Sequence, residues 1–172
     1  MENDRQPVRV FIHGLESSSS GNKAVFFRAR YPGMLIEDYR GDLRERMAKL
    51  EDLLENRKDL ILVGSSFGGL MAAIYACRHE EKVRRLILLA PALDLDDFAA
   101  CSSKTIEVPT FLFHGSRDDV VPPDPVREIA SRVFRRLVYT RVEDDHPLRM
   151  TFETYDWDRL LEFRLDLAPK CT

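Results

Sequence analysis

Long apolar runs are missing from this chain of 172 residues. No stretch approaches the roughly 20 residues that a membrane-spanning helix needs. The amino terminus, MENDRQPVRV, carries charges where a signal peptide needs an apolar core. A cytoplasmic protein that does not engage a membrane is therefore expected. Cysteine is scarce too: Cys77, Cys101 and Cys171 are widely spaced and form no C-x-x-C. That spacing indicates neither a disulfide framework nor a zinc site, and it leads us to expect Cys77 simply packed within a helix and Cys101 in a loop. Charge of one sign is lacking as well. With 26 basic against 29 acidic residues and a net charge of −3, nothing electrostatic draws the chain to nucleic acid or an anionic surface. Arg84-Arg85 and Arg135-Arg136 read as a solvated rim.

What is present is an ordinary globular composition, 44% hydrophobic and 32% charged, at a length that suits one domain over residues 1–172 with a single buried core. Its centre is Asp59 to His79. Leu60 to Val63 is a short unbroken apolar run, as in a strand buried on both faces of a parallel sheet, and Leu70 to Cys77 is apolar almost all round, as in a helix packed on that sheet. Between them stands Gly64-Ser65-Ser66-Phe67-Gly68, a G-x-S-x-G. A sharp strand-to-helix turn would hold Ser66 proud of the sheet, with glycines where a Cβ would collide with neighbouring backbone. Ser66 is the candidate nucleophile.

The remaining segments read as its support. Val8 to Ile12 is a first buried strand ending in His13-Gly14-Leu15-Glu16. A glycine there lets the next backbone N–H turn toward a nucleophile, so the amides of Leu15 and Phe67 are the expected oxyanion hole, with His13 bracing the loop. Lys23 to Arg30 reads as a helix stopped by Tyr31-Pro32-Gly33, and Met34 to Ile36 as a strand. Asp42 caps a helix whose Leu43, Met47, Leu50 and Leu54 form one stripe, opposite a charged face. Val83 to Leu89 is a further strand. The stretch from Ala92 to Val108 leaves room for a loop or one short helix and none for a cap domain, which predicts an open site.

Pro109 to Phe113 gives a strand that runs into His114-Gly115-Ser116-Arg117-Asp118-Asp119. A carboxylate on the loop after a strand is what a general-base histidine requires as its partner. Spacing favours Asp118, with Asp119 as the other candidate and turn formation as the role both could play instead. His114 mirrors His13 and reads as structural. Asp124-Pro125 opens a helix to about Val133, Arg136 to Val142 is the last strand, and a terminal helix carries Trp157, Leu161 and Leu165. Just past the last strand comes Glu143-Asp144-Asp145-His146-Pro147. A metal reading of Asp144, Asp145 and His146 is weak because contiguous residues rarely all face one ion. His146 as general base completes the chain order Ser66, Asp118, His146.

His13-Gly14 with Ser17-Ser18 and Lys23-Ala24, the elbow Gly64 to Gly69, and Asp144-Asp145-His146 together resemble the α/β-hydrolases, and among them the small lidless YqiA-type bacterial esterases. Ser19 departs from that pattern, where those esterases tend to have proline. The resemblance implies a three-layer α/β sandwich of about six mostly parallel strands with minimal or no cap. It further implies a serine hydrolase of short-chain carboxylic esters, without metal or organic cofactor. A thioesterase or acyltransferase would use the same three residues, and a non-catalytic ligand-binding module is the reading from another class. The expected partner is a small acyl ester or thioester, and the chain is expected to act as a monomer or homodimer.

Overall fold

The computed structural model describes residues 6–163. Six strands, β1 (Val8–Ile12), β2 (Leu35–Ile36), β3 (Leu60–Ser65), β4 (Val83–Leu89), β5 (Thr110–Gly115) and β6 (Leu137–Val142), form one open sheet in the order β2-β1-β3-β4-β5-β6. Every pairing is parallel. The central strands β3 and β4 are buried on both faces, which explains why they read as continuous rather than alternating apolar runs.

The strand order reverses direction once. From β1 the chain moves outward to β2, then crosses back over β1 to β3 and continues the other way to β6. Right-handed crossovers put connections that travel in opposite directions on opposite faces of the sheet. Accordingly α1 (Asn22–Arg30) packs on one face with the carboxy-terminal Phe152 and Trp157, while α2 (Leu43–Leu54), α3 (Phe67–Arg78) and α5 (Pro123–Val133) pack on the other. The reversal lies between β1 and β3. At such a switch point the loops leaving two adjacent strands part, and a crevice opens at their carboxyl ends.

Local chemistry accounts for the element ends. Asp42 caps α2 in a reciprocal capping box: its carboxylate accepts from the Glu45 amide at 2.9 Å, and the Glu45 carboxylate accepts from the Asp42 amide at 2.9 Å. The expected stripe is buried at Met47, Leu50 and Leu54. Asp124 does not cap α5, which starts earlier, at Pro123 with Pro122 before it; Asp124 lies in the first turn and pairs with Arg141 at 2.9 Å. The terminal helix is short where it is described, α6 (Trp157–Leu160), and Leu165 lies outside the described residues.

The cysteine reading needs correction. Cys77, near the end of α3, and Cys101, in the four-residue α4 (Ala99–Ser102), are joined in a disulfide with Cα atoms 6.1 Å apart. A separation of 24 residues gives no local signal of pairing. The bridge exists because the segment after β4 folds back along α3 and is tied to it. Among the described residues no cap domain covers the site, and the segment contributes only a single 3-10 turn (Asp96–Phe98) and α4.

Candidate active site

The site begins with the turn from β3 into α3. Ser66 sits at φ 54°, ψ −117°, a left-handed conformation that non-glycine residues adopt at a cost of about 1–3 kcal/mol. The surroundings hold it there. Its amide donates to the Leu89 carbonyl at 2.9 Å, and its carbonyl accepts from Gly69, Leu70 and Ala92 at 2.9, 3.1 and 3.1 Å. A Cβ at Gly64 would run into the Gly68 carbonyl, and one at Gly68 into the carbonyls of Ile12 and His13. The G-x-S-x-G spacing is thus a packing requirement for bringing β1, β3 and α3 this close.

Three distant side chains meet at that turn. Ser66 Oγ lies 2.9 Å from His146 Nε2, and His146 Nδ1 lies 2.7 Å from Asp118 Oδ2. With a carboxylate on Nδ1, the imidazole carries its proton there and leaves Nε2 free to accept from the serine hydroxyl. The other carboxylate oxygen, Asp118 Oδ1, accepts from the amides of Val120 and Val121 at 3.0 and 2.8 Å. Asp119 is solvent-exposed and belongs to the turn, so the choice between the two aspartates falls on Asp118.

The histidine loop is built by Asp144 rather than by a metal-like cluster. Its buried carboxylate accepts from the amides of Asp145, Met150 and Thr151 and from the Thr151 hydroxyl, all within 3.0 Å. Burial alone would raise its pKa, but these hydrogen bonds together outweigh burial and hold the carboxyl below its ordinary value. Asp145 instead pairs with Arg149 at 2.7 Å, and His146 faces Ser66, so the three residues point apart. From α1, Lys23 reaches across the loop and donates to the Pro147 carbonyl, its ammonium 5.2 Å from the centre of the Phe152 ring. Burial lowers its pKa.

The two histidines read as structural both bond to the backbone, and His114 also lies against the Asp118 carboxylate. His13 Nδ1 donates to the Gly14 carbonyl at 2.7 Å and its Nε2 accepts from the Tyr39 amide at 3.0 Å. His114 Nε2 donates to the Val121 carbonyl at 3.0 Å and to Asp118 Oδ2 at 3.1 Å. Burial lowers the His114 pKa by disfavouring the charged ring.

Leu15 and Phe67 flank the serine, on the loop after β1 and in the first turn of α3. Among the described residues neither backbone amide has a hydrogen-bond partner, as the start of a helix dictates for Phe67. The cavity above them, about 890 Å³, is lined by Leu15, Phe67, Leu95, Val120, His146 and Lys23 among others. Leu15, Leu95 and Val120 are 52%, 39% and 65% exposed, so the mouth is open and its rim apolar. One neighbour of the site escaped the sequence reading. Arg46, on the buried side of α2, contacts both Leu15 and Phe67; its only signal was a charge displaced from the charged face toward the apolar stripe.

A parallel sheet with a strained serine at its switch point defines a class, and comparison with known proteins agrees. The family model described as alpha/beta hydrolase fold matches residues 13–105, and the chain belongs to that family. Over the whole fold it is similar to alpha/beta hydrolase domain-containing protein 10 from mouse (23% identity, TM-score 0.69, 83% of each chain covered). It is also similar to a monoacylglycerol lipase of Paleococcus ferrophilus (14% identity, TM-score 0.71, covering 91% of this chain and 96% of that one). Est1E from Butyrivibrio proteoclasticus matches at 17% identity and TM-score 0.71, over 94% and 88% of the two chains. At such identities the likeness is one of fold. Among curated sequences, 38 residues, 22% of this chain, are 53% identical to a probable 1-acylglycerol-3-phosphate O-acyltransferase of Oryza sativa subsp. japonica. The match spans 9% of that protein's length. No helix among the described residues is long and apolar enough to cross a membrane.

Proposed function

We propose that the chain is a serine carboxylesterase of the small, lidless YqiA type, cleaving short-chain carboxylic esters through an acyl-enzyme on Ser66. The observation that carries this reading is the continuous relay from Ser66 Oγ through His146 to Asp118, at 2.9 and 2.7 Å. His146 Nε2 takes the hydroxyl proton as Oγ attacks the ester carbonyl, and Asp118 stabilises the imidazolium. The Leu15 and Phe67 amides receive the developing oxyanion; donors of this kind are worth roughly 2.7–4 kcal/mol each when removed singly. His146 then protonates the leaving alcohol, and water repeats the cycle to release the acid. The chemistry needs neither metal nor organic cofactor, and we place it in one domain, cytoplasmic, acting as a monomer or homodimer.

Acyl transfer is the second reading, favoured by the 38-residue match to an acyltransferase. It differs only in the acceptor, an alcohol taking the place of water at the same acyl-enzyme. A chain-length series of p-nitrophenyl esters on wild type and Ser66→Ala, with fluorophosphonate labelling, tests the primary reading. Turnover of acetyl or butyryl esters that vanishes in Ser66→Ala supports it. An intact fold that neither labels nor turns over any ester overturns it in favour of a binding module. Matched acyl-thioesters and added alcohol acceptors separate hydrolysis from transfer.

A further inference from the structure

Arg46 is a buried cation with no anion answering it. It is 4% exposed on α2, and no carboxylate among the described residues pairs with it. Its Nε donates to the Gly41 carbonyl at 2.9 Å, its Nη2 reaches the Leu15 carbonyl at 3.5 Å, and its Nη1 is buried without a partner. Its Cζ lies 5.5 Å from the centre of the Phe67 ring, within reach of a cation–π contact. Leu15 and Phe67 come from different elements, and theirs are the two amides assigned to the oxyanion. A single guanidinium thus contacts the two residues that carry those amides, through the Leu15 carbonyl and the Phe67 ring.

An unpaired charge taken out of water is strongly destabilising unless something compensates it. Glu16, Asp94 and Glu153 line the same cavity as Leu15 and Phe67 without pairing with Arg46, and a further negative charge arises next to those two residues when a carbonyl is attacked. Measured through the Leu15 backbone, an oxygen bound to that amide would sit about 10 Å or less from Nη2. We infer that Arg46 is a positioning residue of the oxyanion hole, fixing the Leu15 loop against Phe67 and supplying a buried positive field that meets the oxyanion in the transition state. The inference rests on the preceding reading of Ser66 and of the two amides.

The charge-removing variant Arg46→Gln and the charge-keeping variant Arg46→Lys test it on p-nitrophenyl butyrate. A unit charge at that distance, at an effective dielectric constant near 20, corresponds to about a tenfold change in rate. Arg46→Gln is expected to lower kcat about tenfold with KM unchanged. It should also weaken a trifluoromethyl ketone, which forms the oxyanion adduct on Ser66, by the same factor, while a non-reacting ester isostere binds as before. Arg46→Lys should stay within about threefold of wild type in kcat even where its melting temperature falls. Should Arg46→Gln not fold, Arg46→Lys carries the test alone: a tenfold loss of kcat there overturns the inference. So do wild-type kcat in Arg46→Gln, equal losses in both variants, or ketone affinity that does not follow kcat. Activity surviving Ser66→Ala would instead strike the esterase reading itself.

Discussion

The chain makes a His-Gly pair twice, at the end of β1 and at the end of β5, and the two are used in opposite ways. His13 accepts a backbone N–H through Nε2 and so carries its proton on Nδ1; His114 faces two acceptors through Nε2 and so carries its proton there. The first ring steadies the loop that presents the Leu15 amide. The second is buried against Asp118 and helps hold the carboxylate that orients His146. The glycines differ likewise. A Cβ on Gly14 would sit 3.3 Å from the Ser65 carbonyl, a tight but yielding contact, whereas one on Gly115 would come 2.5 and 2.6 Å from the carbonyls of Asp145 and Asp144. The same dipeptide thus serves as a brace beside Ser66 in one place and as a passage for the histidine loop in the other. What surrounds the pair, rather than the pair itself, decides its role.

Breaking the β5 side at its shared point should have the largest effect. Asp118→Asn leaves His114 and His146 competing for a neutral amide and favours the wrong His146 tautomer, so ester turnover should fall on the order of 10⁴-fold with the fold retained. Steady-state kinetics beside circular dichroism measure it. A loss below about tenfold would mean that Asp118 does not govern His146.

The glycines sharpen the contrast next. Gly115→Ala must push back the backbone of Asp144 and Asp145, an overpacking effect of about 1–3 kcal/mol in urea unfolding that also shifts His146 away from Ser66. Gly14→Ala should lose less than about 1 kcal/mol, since its neighbours need move only a few tenths of an ångström. Equal destabilisation by the two would erase the distinction. On the β1 side, His13→Ala strips the Tyr39 amide of its acceptor, for which about 1–3 kcal/mol of stability is expected to be lost. Its kcat should nevertheless fall far less than in Asp118→Asn.

The smallest expected effect is one of pH. Burial depresses the His114 pKa in the folded state, so between its unfolded value near 6.5 and that lower value the unfolded chain binds the extra proton. The contribution is full above about pH 6.5 and is lost as pH falls through that window. Urea unfolding of wild type and His114→Gln from pH 7.5 to 5 should show a steeper acid decline in wild type, and parallel curves would refute it.

Much of the site could be read from the chain because its signals are local. The apolar run Leu60 to Val63, the glycines around Ser66 and the strand-end loops bearing Asp118 and His146 each announce themselves within a few residues. Spacing favoured Asp118 over Asp119 without excluding its neighbour, since adjacent aspartates look alike until one is buried under two backbone amides. The Cys77–Cys101 bridge was illegible, because it depends on how a segment folds back along a helix, which no spacing encodes. The contacts of Arg46 with Leu15 and Phe67 were foreshadowed only by its place beside the apolar stripe of α2.

Taken alone, the sequence determined the alternation of strands and helices, the strained serine turn and the residue types at three strand ends, because periodicity and steric demand act between near neighbours. Tertiary structure decided the strand order, the crevice at the reversal between β1 and β3, the placing of Asp118 rather than Asp119 beside His146 and the contacts of the Arg46 guanidinium with Leu15 and Phe67. Those depend on contacts between residues tens of positions apart, whose burial and partners come into being only when the sheet is assembled.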